Sequence, residues 1–228
     1  DIVNVSKLVN IIMFADDTNL FLSEYELSDL ISNVNSELSK ISKWFKLNRL
    51  SLNIKKTNFI LFGNRQNLNS VTFDISIDNV KIEQVSKTKF LGVIINQRLS
   101  WNDHIHFIKQ KIVKNTGIIY RLSKHLPQSV LLSLYNTLIK PYLEYCNLIW
   151  AVDRSTFLNK LYVCQKKVLR VITNSKYNAH TCPLFKKLHI LPLPELNDYQ
   201  VACFMYQCIN NMLPDKFCCM YKSNATIH

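Results

Sequence analysis

The sequence predicts an α+β fold, in which an antiparallel sheet with one helix comes first and an all-helical region follows. Up to about Asn96, short apolar segments without helical spacing lie between turn residues, which is typical of strands. Beyond that point apolar residues recur every three or four positions, which is typical of helices. All six prolines lie at position 127 or later. These changes place a boundary near residues 96–102.

The first predicted element is a β-hairpin over residues 11–22, with Asp16 and Asp17 in its turn. Each flank is a short apolar run, so both flanks are predicted to be buried strands. Adjacent carboxylates in a tight turn repel each other, and a hard cation such as Mg²⁺ would compensate because it takes oxygen ligands. On spacing alone the alternative remains that the pair is only a turn sequence, since Asp is common in turns.

The clearest helix of the chain is predicted over about residues 24–47. Its apolar residues recur at steps of three and four along one face: Leu27, Leu30, Ile31, Val34, Leu38, Ile41, Trp44 and Phe45. Ser23 and Glu26 are expected to form a capping box at its start. This helix is expected to lie across the back of the sheet that carries the two aspartates.

Four further strands are predicted, at residues 57–62, 71–77, 80–85 and 89–95. Asp78 and Asn79 both tolerate positive φ, so the second and third of these strands are predicted to form a hairpin. Gly92 within the last strand predicts a bulge or a close backbone approach. The helices that follow are predicted at residues 103–124, 128–150 with a bend near Pro141, 155–173 and 195–212.

Charge is distributed unevenly along the chain, whose net charge is +12. Residues 101–176 contain twelve Lys or Arg and three acidic residues, whereas residues 1–50 contain five basic and seven acidic residues. A basic helical block suits a protein that binds a polyanion, and an acidic turn suits metal chemistry. The alternative is that the lysines form an ordinary solvated helix face.

Composition excludes several protein classes. The chain has 228 residues, 48% hydrophobic and 19% charged, which is typical of a globular protein with a sizeable core. No charged start precedes an apolar run, and the most apolar stretch, residues 130–150, is interrupted by polar residues, so neither a signal peptide nor a membrane span is predicted. Seven cysteines without a C-x-x-C pair favour reduced thiols in an intracellular protein, of the nucleus or the cytoplasm.

Four stretches together resemble a known family. Residues 14–17, Phe-Ala-Asp-Asp, resemble the [FY]-x-D-D signature of reverse transcriptases, and the Thr-Asn-Leu-Phe that follows is similar to the non-LTR retrotransposon branch, the LINE-like and jockey-like elements. Residues 50–57 resemble the next motif of that family, Leu-Asn-x-x-Lys-Thr, and residues 90–93 its primer-grip hairpin. Residues 142–146 with Trp150, and residues 165–170, resemble the helical region after the catalytic core. The resemblance covers nearly the whole chain.

The resemblance implies a domain organisation and an activity. Residues 1–96 would be the C-terminal half of a polymerase palm, with the catalytic hairpin and the primer grip. Residues 97–176 would be a basic helical thumb, and residues 177–228 a helical C-terminal extension. The implied reaction is RNA-directed DNA polymerisation from deoxynucleoside triphosphates, with Mg²⁺ at a two-metal site. The implied partners are an RNA template and a DNA primer or target DNA, without a membrane partner.

Three residues are implied to be catalytic. Asp16 would bridge the metal ions, and Asp17 would assist as a ligand or hold the turn. Lys56 would donate a proton or stabilise charge at the leaving pyrophosphate. The alternative is that Lys55 and Lys56 are surface lysines before a strand. Asn53 is expected to fix this loop through side-chain to backbone hydrogen bonds.

The resemblance also implies nucleic-acid contacts. Phe90, Leu91 and Gly92 would hold the primer end, where a glycine lets a backbone approach a strand closely. Lysines and arginines of the helical block would follow the backbone of an RNA–DNA hybrid without reading its sequence. The residues assigned to this role are Lys109, Lys111, Lys114, Arg121, Lys166, Lys167 and Arg170.

The sequence is expected to be a fragment. It begins at Asp1 without an initiator Met, and no position among the fifteen residues before Asp16 matches the family's upstream catalytic aspartate. The chain would thus carry half of a metal site and be inactive in isolation. Two alternatives remain: a catalytically dead remnant of a retroelement, and a non-enzymatic nucleic-acid-binding module that uses only the basic helices.

Overall fold

Short strands and one long helix make up the described part of the first hundred residues, and helices dominate the described part beyond them. The computed structural model describes residues 2–63, 73–151, 156–218 and 220–221. The chain divides into two units, the first formed by residues 1–90 and 95–100 and the second by residues 91–94 and 101–228. At this level the predicted α+β class is confirmed.

The predicted strand–turn–strand unit is present at the start of the first unit. Strand β1 (Asn10–Phe14) pairs antiparallel with β2 (Asp17–Phe21), and the two residues between them form the turn. Ala15, the first turn residue, takes a φ of 53°. Positive φ at a tight two-residue turn lets the right-handed twist of both strands continue across it. The hairpin therefore presents Asp16 in its turn and Asp17 at the start of β2.

The prediction that both flanks of this hairpin are buried is wrong. Ile12, Met13 and Phe14 are exposed to 45%, 51% and 62%. Among the described residues, no third strand pairs with β1 or β2. Leu20 of β2 packs against the apolar cluster of this unit, whereas most of β1 faces solvent.

The other strands are short: β3 (Asn58–Phe59), β4 (Ser76–Ile77), β5 (Val80–Lys81), β6 (Glu83–Gln84), β7 (Lys87–Phe90) and β8 (Val93–Asn96). Strand β3 pairs in parallel with β6, β4 pairs antiparallel with β5, and β7 pairs with β8. Asp78 and Asn79 take φ values of 50° and 64° between β4 and β5. The hairpin predicted at these two residues is confirmed, and residues 71 and 72 of its predicted first strand lie outside the described residues.

The prediction of one strand over residues 89–95 is wrong, because the chain reverses in its middle. Leu91 and Gly92 separate β7 from β8 and take φ values of 44° and 89°. Two consecutive residues with positive φ are typical of a tight hairpin turn. Gly92 therefore serves a turn rather than a bulge. An apolar segment with one glycine does not distinguish these two geometries.

Helix α1 (Leu27–Leu47) packs against the β4–β5 hairpin, and its apolar face shares one cluster with Leu20 of β2. Its apolar face joins an apolar cluster that includes Phe73, Ile75 and Ile77. The Asn35 side chain strengthens this packing, because it donates to the carbonyl of Asp74 at 2.9 Å and accepts from the N–H of Ser76 at 3.0 Å.

The predicted capping box of α1 is also absent. The helix begins at Leu27, three residues later than predicted, and Glu26 at its N-cap makes no side-chain capping hydrogen bond. Because the helix starts after Glu26, Ser23 lies too far upstream to cap it.

The helices after Ser100 are α2 (Asn102–Leu122), α3 (Gln128–Leu138), α4 (Lys140–Glu144), α5 (Asn147–Trp150), α6 (Thr156–Ile172), α7 (Cys182–Leu188), α8 (Leu193–Ile209) and α9 (Asp215–Cys218). The helices predicted at residues 103–124, 155–173 and 195–212 are confirmed to within a few residues. The helix predicted over residues 128–150 is three helices. Pro141 lies in the first turn of α4, where its missing N–H costs nothing, and Cys146 takes a φ of 51° between α4 and α5.

The core of the second unit forms where α2 packs along α6. Ile108, Ile112, Leu161, Val168 and Leu169 are almost completely buried there. The two helices are therefore held side by side by a shared core. None of the described helices is long and apolar enough to cross a bilayer.

Candidate functional site

The carboxylates of Asp16 and Asp17 are exposed in the β1–β2 turn. Within the described residues, neither side chain makes a hydrogen bond or an ion pair with another side chain. In contrast, Asp78 in the β4–β5 turn accepts from Ser42 at 2.8 Å and pairs with Lys46 at 2.8 Å. The hydrogen bond from Lys46 is the main reason that the pKa of Asp78 is lowered. Two aspartate-containing turns of one unit thus differ, since one is tied into the fold and the other is open.

The two open carboxylates fit one side of a Mg²⁺ site. Mg²⁺ takes oxygen ligands in octahedral geometry and is usually held by one or two carboxylates together with waters and substrate phosphates. The described residues contain no group of three or more His, Cys, Asp or Glu side chains that could hold a metal ion. Asp16 and Asp17 therefore offer a partial donor set of the right chemistry.

The Leu-Asn-x-x-Lys-Thr motif forms a 3₁₀ turn, Ile54–Lys56, that leaves its lysines exposed. The carbonyl of Asn53 accepts from the N–H of Lys56 at 3.0 Å and from the hydroxyl of Thr57 at 3.0 Å. Leu52 and Ile54 pack against the apolar cluster of the unit. The expectation for Asn53 is wrong in detail, because its backbone rather than its side chain fixes the turn.

Lys56 is exposed and available to a ligand, but the structure does not bring it together with the aspartates. No ion pair joins Lys56 to Asp16 or Asp17 in the part of the chain that the structure describes. All three residues belong to the first unit.

The Leu91-Gly92 turn contacts a tyrosine of the helical region. The hydroxyl of Tyr145 donates to the carbonyl of Leu91 at 2.6 Å. A Cβ atom added at Gly92 would lie 3.3 Å from Cε1 of the same tyrosine. The close approach predicted at Gly92 is therefore made by the ring of Tyr145, and the side chain of Phe90 beside it is half-buried.

Three lysines lie together where α2 packs on α6. Lys109 of α2 and Lys160 of α6 line one shallow pocket with Asn102, Ile105 and His106. Burial raises the pKa of the Cys164 thiol, and the positive charges of Lys109 and Lys167 oppose part of this rise. Lys109, Lys160 and Lys167 therefore form one basic cluster, called here the α2–α6 basic cluster. Sequence reasoning did not select Lys160, although helical spacing places it one heptad from Lys167.

The other predicted nucleic-acid-binding residues differ in their surroundings. Lys111 lies 5.4 Å from the centre of the Phe107 ring, and Lys166 lies 3.9 Å from that of Tyr162. Nε of Arg170 donates to the carbonyl of Ala179 at 3.0 Å. These three cations have partners within the fold, whereas the remaining two predicted residues, Lys114 and Arg121, are exposed on α2.

Comparison with curated proteins gives relatives that are all named RNA-directed DNA polymerases. The chain is 23% identical over 181 residues to the "Probable RNA-directed DNA polymerase from transposon X-element" of Drosophila melanogaster, a match that covers 78% of this chain and 20% of the relative. It is 23% identical over 194 residues to the "RNA-directed DNA polymerase from mobile element jockey" of the same species, covering 83% of this chain and 20% of the relative. Its match to the polymerase from transposon BS is also 23% identical, over 185 residues.

The resemblance inferred from the motifs is thereby confirmed: curated homologues of this chain are RNA-directed DNA polymerases of Drosophila non-LTR retrotransposons. The chain spans about a fifth of the length of these relatives. No protein-family model and no solved structure matches it.

Proposed function

We propose that this chain is a segment of an RNA-directed DNA polymerase of a non-LTR retrotransposon, in which Asp16 and Asp17 supply carboxylates to a two-metal site. The observation that carries the proposal is the open β1–β2 turn, with two adjacent carboxylates that have no side-chain partner among the described residues. Its curated relatives are named RNA-directed DNA polymerases. A metal site requires exposed carboxylates whose charge no neighbouring side chain neutralises. A turn alone does not require this, because Asp is common in turns for other reasons.

In this proposal, residues 1–96 are a partial palm, residues 97–176 a basic thumb and residues 177–228 a helical extension. The partners are an RNA template and a DNA primer or target DNA, and the substrates are deoxynucleoside triphosphates. The polymerisation would take place inside the cell, in the nucleus or the cytoplasm.

The proposed reaction is an in-line displacement at the α-phosphate of the incoming nucleotide. The oxygen of the primer 3′-hydroxyl forms the new bond to phosphorus, the bond to the leaving pyrophosphate breaks, and the hydroxyl proton passes to solvent water. Bound Mg²⁺ ions would activate the hydroxyl and neutralise the charge on the pyrophosphate. Asp16 would be the main ligand of these ions and Asp17 would assist, and the short turn between β1 and β2 presents both carboxylates.

Lys56 is assigned to the leaving group. Its ammonium is exposed at the end of a 3₁₀ turn whose apolar residues are anchored in the cluster of the first unit. An anchored turn with a mobile cationic side chain suits a residue that stabilises charge on a departing pyrophosphate or protonates it.

The nucleic acid would be held by the α2–α6 basic cluster together with Lys114 and Arg121. The lysines of the cluster project from two helices that are fixed by a shared core. Such an array binds phosphates of successive nucleotides without reading bases. Lys111 and Lys166 lie over aromatic rings and Arg170 donates to the Ala179 carbonyl, so this assignment gives them mainly a role in the fold.

The test is iron-dependent hydroxyl-radical cleavage of a bound RNA–DNA hybrid with a recessed primer end. Fe²⁺ occupies oxygen-ligand Mg²⁺ sites and, with ascorbate and peroxide, cuts the nucleic acid beside it. We expect the wild-type chain to direct cleavage to the primer end, because hybrid phosphates complete the ligand set of Asp16 and Asp17. Asp16→Asn should abolish this focused cleavage while the affinity for the hybrid is retained.

Asp74→Asn is the matched control, since Asp74 is an exposed carboxylate of the same unit that pairs with Lys81. It should leave the cleavage pattern unchanged. If Asp16→Asn and wild type give the same pattern on a bound hybrid, the carboxylates hold no metal, and the chain is a nucleic-acid-binding module that uses only its basic helices.

A further inference from the structure

The loop formed by residues 91–94 is held at both ends by side chains of the helical region. It belongs to the second unit, although the residues before and after it belong to the first. Tyr145 binds its first residue and His104 its last. These two contacts place a short hairpin tip on a rigid helical support.

The first contact stabilises a strained backbone. Leu91 takes a φ of 44°, which is costly for a residue with a side chain. The hydroxyl of Tyr145 donates to the carbonyl of this residue at 2.6 Å, and the tyrosine ring covers the space that a side chain at Gly92 would fill. Strained residues persist where their surroundings determine them, and they concentrate at ligand-binding sites.

The second contact uses a buried histidine. The N–H of Ile94 donates to Nδ1 of His104 at 3.2 Å, and His104 is only 3% exposed. Because Nδ1 accepts, the proton of the neutral ring is on Nε2, which is buried and has no hydrogen-bond partner among the described residues. An unpaired buried N–H lowers stability. Packing alone would favour an apolar residue at this position. The histidine therefore has a specific role, which is to accept the hydrogen bond from Ile94.

Both contacts share one support. The indole N–H of Trp150 donates to the carbonyl of Tyr145 at 2.8 Å, and the edge of its ring packs on His104 with 5.8 Å between ring centres. Trp150 is almost completely buried, and the neighbouring Asn147 is fixed by a buried hydrogen bond from Asn197. Tyr145 and Trp150 belong to the stretch that resembles the family's helical region, and His104 does not.

We propose that Tyr145 and His104 are positioning residues, which hold the 91–94 loop in the conformation that contacts the sugar-phosphate backbone of a primer end. This inference rests on the proposed function and on the primer-holding role that the resemblance implies for Phe90, Leu91 and Gly92. A loop that is fixed before binding loses less conformational entropy when the primer arrives, so its affinity for the primer is higher. The two side chains act through the loop and do not touch the reacting atoms.

The test compares a hybrid with a recessed primer 3′ end and a blunt hybrid of equal length, by fluorescence anisotropy. Wild type should prefer the recessed end. Tyr145→Phe keeps the ring and removes only the donor. It should reduce the preference about fivefold, the factor expected for one neutral hydrogen bond. Its affinity for the blunt hybrid should not change, because the α2–α6 basic cluster is intact.

Hydrogen exchange of the peptide that contains residues 91–94 gives an independent readout. Tyr145→Phe and His104→Phe should both accelerate it by about fivefold. His104→Asn offers an acceptor oxygen near the position of Nδ1 and should restore part of the protection and of the preference. Tyr142→Phe is the matched control, a half-buried tyrosine of the same stretch whose hydroxyl does not bind the loop, and it should behave as wild type.

The outcomes separate the inference from the function on which it rests. If wild type does not distinguish the two hybrids, the loop does not hold a primer end, and both proposals for the loop fail. If wild type distinguishes them and Tyr145→Phe does so equally well despite faster exchange, only the positioning role is overturned.

Discussion

At the scale of single residues, the consecutive residues Gln165, Lys166 and Lys167 have different roles. Gln165 is fully buried, donates to the Tyr135 hydroxyl at 2.9 Å and to the Leu191 carbonyl at 3.0 Å, and accepts from the Leu193 N–H at 2.9 Å. Burial raises the pKa of Tyr135 to about 12. Lys166 covers an aromatic ring and Lys167 is exposed. Part of this motif therefore serves the fold, and of its two lysines only Lys167 has an exposed side chain.

His104 predicts a pH dependence of stability. Burial lowers the pKa of its imidazole below the ordinary 6.5. As the pH falls below about 6.5, the unfolded chain binds a proton that the folded chain does not, so protonation favours unfolding. The stabilising contribution is complete above 6.5 and is lost as the pH falls toward the lower pKa of the folded state.

Urea unfolding between about pH 5.5 and 8 measures this effect. The free energy of unfolding of wild type should decrease below pH 6.5, and His104→Asn should lose that part of the decrease. His106→Asn is the control, because His106 is exposed two residues away. If the free energy of unfolding decreases equally in wild type and His104→Asn below pH 6.5, the decrease comes from other groups.

At the scale of elements, the pairing of α2 with α6 decides which basic residues can act together. Lys109 and Lys167 are 58 positions apart in the chain, and both lie close enough to Cys164 to influence its pKa. Lys109 and Lys111 are neighbours in the chain, yet Lys111 lies over Phe107 instead. Charge counts along the sequence identify a basic block, and helix packing decides which of its cations lie close together.

This arrangement predicts how hybrid binding depends on salt. Removing two phosphate contacts with Lys109→Ala and Lys167→Ala together should flatten the slope of log affinity against log salt by about two units, since each neutralised phosphate contributes about 0.9 for duplex DNA. Anisotropy titrations with an RNA–DNA hybrid between about 50 and 200 mM KCl measure the slope.

Lys186→Ala with Lys187→Ala removes the same charge from exposed positions of α7 and serves as the control. It should leave the slope near that of wild type. An affinity independent of salt, or an equal flattening in both double variants, would show that the cluster is an ordinary solvated surface.

At the scale of the whole molecule, the proposed metal site is partial within the described residues. Asp16 and Asp17 lie in one turn, and no group of three or more potential metal-ligating side chains forms in the part of the chain that the structure describes. The proposed activity therefore needs ligands beyond this pair.

The 228-residue chain alone should not extend a primer on an RNA template with Mg²⁺ or Mn²⁺. Asp16, Asp17 and the phosphates of a bound hybrid can hold an ion near the primer end, but this partial donor set does not position two ions to activate the 3′-hydroxyl. Primer extension resolved on a sequencing gel measures this, with Asp16→Ala as the background. Extension by wild type that disappears in Asp16→Ala would overturn the expectation of inactivity.

The sequence by itself determined the elements whose signals are local. The Asp16-Asp17 turn, the Asp78-Asn79 hairpin and the long helices α2 and α6 follow from turn residues and from periods of two and 3.6, because backbone preferences act over a few neighbouring residues. It also placed Gly92 at a close approach. The strand prediction over residues 89–95 missed the turn at Leu91, although the resemblance implied a hairpin at residues 90–93, and the break at Cys146 was not predicted. Both positions use residues that rarely adopt positive φ.

Only the tertiary structure decided which surfaces those elements cover. Exposed apolar residues on β1, the packing of α1 on the β4–β5 hairpin and the contact of His104 with Ile94 depend on which faces meet. The same is true of the basic residues, since the sequence counts the charges of Lys166 and Lys167 equally although only Lys166 covers an aromatic ring. Side chains distant in sequence come together only when helices pack, so local backbone preferences do not predict which partner a side chain contacts.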